Sequence, residues 1–239
     1  MATAVDRDRF FPSARIKVFG GSMSQGQVDG INNILNTWEA ISTSNDVRWL
    51  ANTLGQCMWE SARTFQPVRE AFYLGEPAAE EYRKRLRYYP YYGRGLIQIT
   101  WEENYKKFSS IVGVDLVQNP DAALEPHTSA KIAVIGMEYG SFTGQGLANF
   151  FSADKDDPLH ARTIVNGMDH AFEIEQLHVG FLESLKAGWP GIAPDRPPPP
   201  PFVPPPPEKT RSTPIVAGEE LTAAQKAALP PAEGSSSSD

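Results

Sequence analysis

Tyr91-Tyr92-Gly93-Arg94-Gly95-Leu96-Ile97-Gln98-Ile99-Thr100 is the stretch on which the reading of this chain turns. It follows a Trp59-Glu60-Ser61 triplet and the acids Glu70, Glu80 and Glu81. Two glycines around an arginine give a backbone that can approach a ligand closely. The run after them alternates, which predicts Leu96, Gln98 and Thr100 on one face and Ile97 and Ile99 on the other. Isoleucines turned inward would leave Gln98 and Thr100 facing a groove. Carboxylates beside such a polar, aromatic-rich strip are what hydrolysis of a sugar chain requires.

Working outward from this stretch, the pattern is helical. Ser24-Gln-Gly-Gln27 has the form of a capping box, and Val28, Ile31, Ile34, Leu35, Trp38 and Ile41 follow at helical spacing. A second helix is expected after Ser44-Asn-Asp46, burying Val47, Leu50, Leu54, Cys57 and Met58. Glu60 lies eleven residues, about three turns, past Trp49, at the margin of that apolar stripe. A carboxylate there is partly desolvated, the placement a general acid needs. Pro77 to Leu86 reads as a short charged helix, and Thr100-Trp-Glu-Glu103 as a capping box opening another through Tyr105, Phe108 and Ile111. Later helices are expected around Ile132, Ile135 and Tyr139, around Leu147, Phe150 and Phe151, and over Ile174, Leu177, Phe181 and Leu185, where Gly188 stops the last. The fold class is mainly α, with at most a small β-hairpin near Tyr91–Ile99.

The motifs occur in a specific order. Trp59-Glu-Ser-Ala-Arg-Thr-Phe-Gln-Pro-Val-Arg-Glu70 precedes Tyr91–Thr100 and Asn104-Tyr105; Asp115-Leu-Val-Gln-Asn-Pro-Asp121 and Ile164-Val-Asn-Gly167 come after. Over about residues 10 to 187 this resembles the family 19 glycoside hydrolases, in particular short phage-type endolysins with a chitinase and lysozyme-like fold. The chain departs from the family pattern at Trp59, where a histidine is usual, and only loosely matches it around the second acid.

The resemblance implies a peptidoglycan-degrading glycosidase that cuts β-1,4 bonds, with Glu60 as general acid. Glu81, twenty-one positions on, is expected as the second carboxylate, with Glu80 and then Glu70 as alternatives. An inverting geometry would hold the two carboxyl groups ~6.5–9.5 Å apart, with water between. Thr100 would orient that water, and Gln98, Asn104 and Asn166 would bind acetamido and hydroxyl groups through amides that both donate and accept. Plainer readings stand beside these: a salt bridge from Glu60 to Arg63 or Arg69, an ion pair from Glu81 to Arg85, a helix cap at Thr100 and an Asn-Gly turn at Asn166. Tyr91 and Tyr92 either stack on sugar faces or pack in the core. Arg94 is expected to pair with Glu70 and hold the cleft. Chitinase, lytic transglycosylase and a non-catalytic wall-binding or virion protein are the competing functions.

Composition sets bounds. The formal net charge is −7, so a general attraction to nucleic acid is not expected. No run approaches ~18 uninterrupted apolar residues, so no membrane span is expected. The four histidines, His127, His160, His170 and His178, lack metal-ligand spacing, and neither metal nor other cofactor is expected. Cys57 is the single cysteine, which suits a reducing cytosol. The N-terminus has no apolar signal core. A monomer made in a host cytoplasm and acting on the wall in the periplasm, or carried in a virion, fits these features. The domain is expected over residues 1–188. Residues 189–239, with proline runs at Pro197–Pro201 and Pro204–Pro207, read as a spacer and disordered tail.

Overall fold

The computed structural model describes residues 3–189. The tail expected from residue 189 onward therefore lies almost wholly outside the described residues. Within them the chain is mainly helical: α1 (Arg7–Lys17), α2 (Gln25–Ile41), α3 (Val47–Glu60), α4 (Ala78–Lys84), α5 (Glu102–Val112), α6 (Pro126–Glu138) and α7 (Ala171–Gly188). Two short antiparallel ladders accompany them. Val68–Arg69 (β1) pairs with Arg94–Gly95 (β2), and Phe151–Ser152 (β3) with Lys155–Asp156 (β4).

Side-chain caps explain the starts of the first three helices. Ser24 Oγ accepts from the Gln27 N–H at 3.2 Å while the Ser24 N–H donates to Gln27 Oε1 at 2.8 Å, which completes the capping box of α2. Asp46 caps α3 by accepting from the Arg48 N–H. Gly30 lets α2 press against the turn after α3, because a Cβ there would stand 2.0 Å from the Phe65 carbonyl oxygen.

Helix α3 departs from the expected amphipathic element. Eleven of its fourteen residues are buried, including Asn52, Gln56 and Glu60 as well as the apolar positions. It packs against α7, α6 and α2, so no face is left to solvent. Glu60 consequently lies inside the protein rather than at a stripe margin. Gln56 and Glu60 find interior partners, whereas the Asn52 amide has none among the described residues.

Three further expectations are corrected. Residues 96–98 form a turn, not an alternating strand: Gln98 has φ +46 and the chain reverses so that Ile99 pairs with Arg94. Leu96, Ile97 and Ile99 are all buried as a result. The Arg94–Ile99 pairing is the small local hairpin expected there, and the arginine segment pairs in addition with the distant Val68–Arg69. Helix α5 begins at Glu102 after Trp101, which has φ +70 and provides no side-chain cap, so Thr100 is not its N-cap. Around Leu147 only a 3-10 turn forms, Leu147–Asn149, before the chain enters β3 at Phe151.

Candidate active site

Glu60 closes α3, and its side chain is 1% exposed. Its partner is Arg162, 102 residues later and equally buried, whose Nη1 donates to Glu60 Oε1 at 2.5 Å. The same guanidinium donates to Gln56 Oε1 at 3.1 Å and, through Nε, to the Asp169 carbonyl at 3.0 Å. Gln56 completes the network by donating to the Ala161 carbonyl at 2.9 Å. Neither Arg63 nor Arg69 pairs with Glu60, in contrast to the local salt bridge that spacing suggested. Arg63 reaches the Val18 carbonyl, and Arg69 bonds Asp121.

Two further carboxylates are buried, Glu138, which accepts from the Thr43 N–H, and Glu70, 2% exposed. Glu70 is the one beside the glycine-flanked arginine segment. It follows β1, and its backbone N–H donates to the Gly93 carbonyl at 2.7 Å, extending the ladder by one bond. Its oxygens are held separately: Oε1 accepts from the Tyr88 hydroxyl and Oε2 from the Gly93 N–H, each at 2.8 Å. Burial raises the Glu70 pKa above the usual carboxylate value, outweighing these hydrogen bonds and the charges of Arg83 and Arg94. Gly93 is a glycine for a steric reason. A Cβ there would stand 2.7 Å from Gln98 Oε1 and 3.2 Å from Glu70 Oε2.

Gln98 therefore shares the turn with Glu70. Its amide nitrogen donates to the Val68 and Gly95 carbonyls at 2.7 and 2.9 Å, which ties the ladder to the turn. Thr100 is buried, and among the described residues its hydroxyl has no hydrogen-bond partner; its carbonyl accepts from Asn104 Nδ2 at 2.7 Å. Tyr91 packs on Tyr105, ring centroids 5.3 Å apart. Tyr92 is buried between guanidiniums, with Arg94 Cζ 3.7 Å and Arg83 Cζ 5.1 Å from its ring centroid.

Arg94 is engaged by protein. It donates to Asp121 Oδ1 at 2.7 Å, to the Tyr105 hydroxyl at 2.9 Å and to the Pro90 carbonyl at 3.0 Å. Asp121, not Glu70, is its ion-pair partner. Glu81 sits exposed on α4, and the i, i+4 pair of that helix is Glu80–Lys84, not Glu81–Arg85. Asn166 is half-buried, and its backbone N–H donates to the Arg162 carbonyl at 3.2 Å. The structure thus gathers Glu70, Gln98 and Gly93 at one turn, and Glu60 and the Asn166 loop around Arg162.

Part of the chain is similar to known proteins. A family model described as chitinase class I, glycoside hydrolase family 19, matches residues 69–137. Residues 69–137 are thus similar to family 19 glycoside hydrolase sequence. Chitinase 8 of Oryza sativa subsp. japonica is 36% identical over 91 residues, 36% of this chain and 34% of the relative. Endochitinase A2 of Pisum sativum is 51% identical over 45 residues, 18% and 14% of the two chains. The chain thus spans about a third or less of the curated relatives it matches. Among solved structures, chitinase C from Streptomyces griseus HUT6037 is similar at 18% identity with a TM-score of 0.47, covering 81% of each chain. A family GH19 class IV chitinase from Zea mays is similar at 13% identity and a TM-score of 0.46, covering 77% of this chain and 94% of the other.

The family 19 segment contains Glu70, Tyr88, Gly93, Gln98, Thr100 and Asn104, and stops short of Glu60 and Arg162. The sequence did not announce the pairing of Arg162 with Glu60 or the burial of Glu70. Arg162 gave no local signal because its partners are about a hundred residues away. Glu70 did give one: it lies one residue beyond the strand that pairs with Arg94-Gly95, ten positions after Glu60.

Proposed function

We propose that this chain hydrolyses β-1,4 glycosidic bonds in an N-acetylglucosamine-containing glycan, and that its polymer is bacterial peptidoglycan. The observation that carries the reading is the pair of buried carboxylates at Glu60 and Glu70, the second inside the family 19 segment at the Gly93–Gln98 turn. The ordered resemblance to phage-type endolysins supports peptidoglycan and a role in host lysis. The names of the plant relatives support chitin as the competing polymer.

In this mechanism Glu60 is the general acid. It gives its proton to the glycosidic oxygen as the bond to the anomeric carbon breaks, so the leaving sugar departs as an alcohol. Glu70 takes a proton from the water that attacks the opposite face, which inverts the anomeric configuration. The second role is given to Glu70 rather than Glu81 because Glu70 is the buried carboxylate held at the turn, whereas Glu81 is exposed on α4. The free hydroxyl of Thr100 is available to orient the water. Amide groups of Asn104 and Asn166 would meet the acetamido and hydroxyl groups of the sugar.

Mass spectrometry of digests of purified peptidoglycan and of chitin oligomers tests the reading. Hydrolytic muropeptides from peptidoglycan are expected. Anhydro-muramic ends would make the chain a transglycosylase, chitin-only cleavage would make it a chitinase, and intact polymers would remove the enzymatic reading.

A further inference from the structure

We propose that Arg85 and Arg87 form a carboxylate subsite beside the Glu70 turn, which selects an anionic glycan over neutral chitin. The inference rests on the glycosidase reading and names the substrate feature that this face senses. In peptidoglycan, alternate sugars carry a lactyl group that ends in a carboxylate or in an acidic stem peptide. Chitin has no such charge. The chain has a formal net charge of −7, so an acidic polymer is repelled unless the charge reverses locally.

Such a reversal is present at Arg83-Lys84-Arg85-Leu86-Arg87. The protein itself neutralises two of these cations. Arg83, 4% exposed, pairs with Glu76, and Lys84 pairs with Glu80 at 2.8 Å. Arg85 and Arg87 are exposed, and among the described residues their side chains make no hydrogen bond or ion pair. Glu81 before them, and Glu102 and Glu103 beside Trp101, leave both guanidiniums unpaired. Two positive charges therefore face solvent without a protein counter-ion.

The run is tied to the site at both ends. Arg83 Nη1 donates to the Glu70 carbonyl at 3.2 Å. Arg87 Cζ lies 6.0 Å from the centroid of the Trp101 ring, which packs on Tyr88 at 5.0 Å. The Tyr88 hydroxyl in turn donates to Glu70 Oε1 at 2.8 Å. Exposure rises outward along this path: Glu70 is buried, Tyr88 and Trp101 are half-buried, and Arg87 is exposed. Arg87 thus stands on the solvent side of the residues that hold the proposed base. The N–H groups of Arg85, Leu86 and Tyr89 donate to the Tyr82, Arg83 and Leu86 carbonyls, which fixes the backbone carrying both arginines. A planar guanidinium can meet a carboxylate through two parallel donors, and Tyr89, 47% exposed, offers an aromatic face two residues on from Arg87.

The test uses the full chain and its Arg85→Gln/Arg87→Gln double variant. Both substitutions are at exposed positions, so both proteins should fold. Cosedimentation on ice with insoluble peptidoglycan and with chitin reads binding without turnover, and steady-state kinetics on peptidoglycan separates KM from kcat. At low salt the double variant should bind peptidoglycan about 5- to 10-fold more weakly, the size expected of two exposed ion pairs, with KM raised and kcat unchanged. Chitin binding should not change, and the difference on peptidoglycan should shrink at high salt. Amidase-stripped peptidoglycan locates the carboxylate: a defect that persists there assigns it to the lactyl group, and one confined to intact polymer assigns it to the stem. Unchanged peptidoglycan binding, an equal loss on chitin, or a defect insensitive to salt would overturn the inference. A selective binding defect without any hydrolysis by the parent chain would instead remove the glycosidase reading and leave the subsite.

Discussion

The backbone N–H of Gly93 donates to Glu70 Oε2 at 2.8 Å, and the missing side chain of that glycine leaves room for Gln98 Oε1. A methyl group at Gly93 would lie 2.7 Å from the Gln98 oxygen, so either the amide or the Glu70 carboxylate must move. Gln98 is the less free of the two, because it also bonds the Val68 and Gly95 carbonyls. Gly93→Ala should therefore lower kcat/KM by about 10- to 100-fold with little change in the helical circular dichroism. Steady-state kinetics beside a thermal melt checks this, and wild-type kinetics would count against the turn as part of the site.

The pH dependence follows from Glu70. Burial raises its pKa above the usual carboxylate value. As the group that accepts a proton from water it must be ionised, so activity should rise with pH through that raised value. The acidic limb of the rate profile should lie above the ordinary glutamate range and vanish in Glu70→Gln. Glu81→Gln should leave it in place. The stability effect has the opposite sense: a carboxyl with a raised folded-state pKa contributes stability at low pH that is lost as pH rises through it. Glu70→Gln should therefore gain stability relative to the parent as pH increases above the ordinary glutamate range.

His178 governs acid stability by a different route. It is buried in α7 and stacked on Phe151 with ring centroids 5.3 Å apart. Burial first, then the charges of Arg48 and Lys186, lower its pKa from 6.5 to about 4, against a smaller opposing effect of Asp46. The neutral ring contributes stability that is present above 6.5 and lost as pH falls through about 4. The contribution is on the order of 3 kcal/mol, taken at 1.4 kcal/mol per pH unit. Denaturant melts at several pH values should show a flatter acid side in His178→Phe; an unchanged slope would assign acid unfolding elsewhere.

Gly30 tests the packing that holds the turn after α3. A Cβ there meets the Phe65 carbonyl oxygen at 2.0 Å, and that atom belongs to backbone that cannot rotate away. Gly30→Ala should lose about 1–3 kcal/mol in urea unfolding, despite the better helix propensity of alanine. A stabilised variant would show that the α2 contact with Phe65 is loose.

Periodicity and capping chemistry made α2, α3, α6 and α7 legible in sequence, because these are properties of neighbouring residues. The starts and turns that failed depended on backbone signs no pattern reveals. Gln98 at φ +46 and Trp101 at φ +70 are left-handed non-glycine residues, and each broke an otherwise reasonable reading. Helix α1 escaped because its apolar positions are few; only Phe10 and Ala14 are buried in it. The site was legible in its residue types but not in its pairings. Glu60 to Arg162 and Arg94 to Asp121 join segments 102 and 27 residues apart, and only the folded chain brings them together.

The central claim is that Glu60 and Glu70 act as a pair on a β-1,4 glycan. Its most direct test is the initial rate of reducing-end release from purified peptidoglycan by the parent chain, Glu60→Gln, Glu70→Gln and Glu81→Gln, each shown to be folded. The account predicts losses of at least ~10²–10⁴-fold for the first two variants and near-parental rates for the third. Near-parental release by Glu60→Gln or Glu70→Gln, or a loss of that size confined to Glu81→Gln, would contradict it.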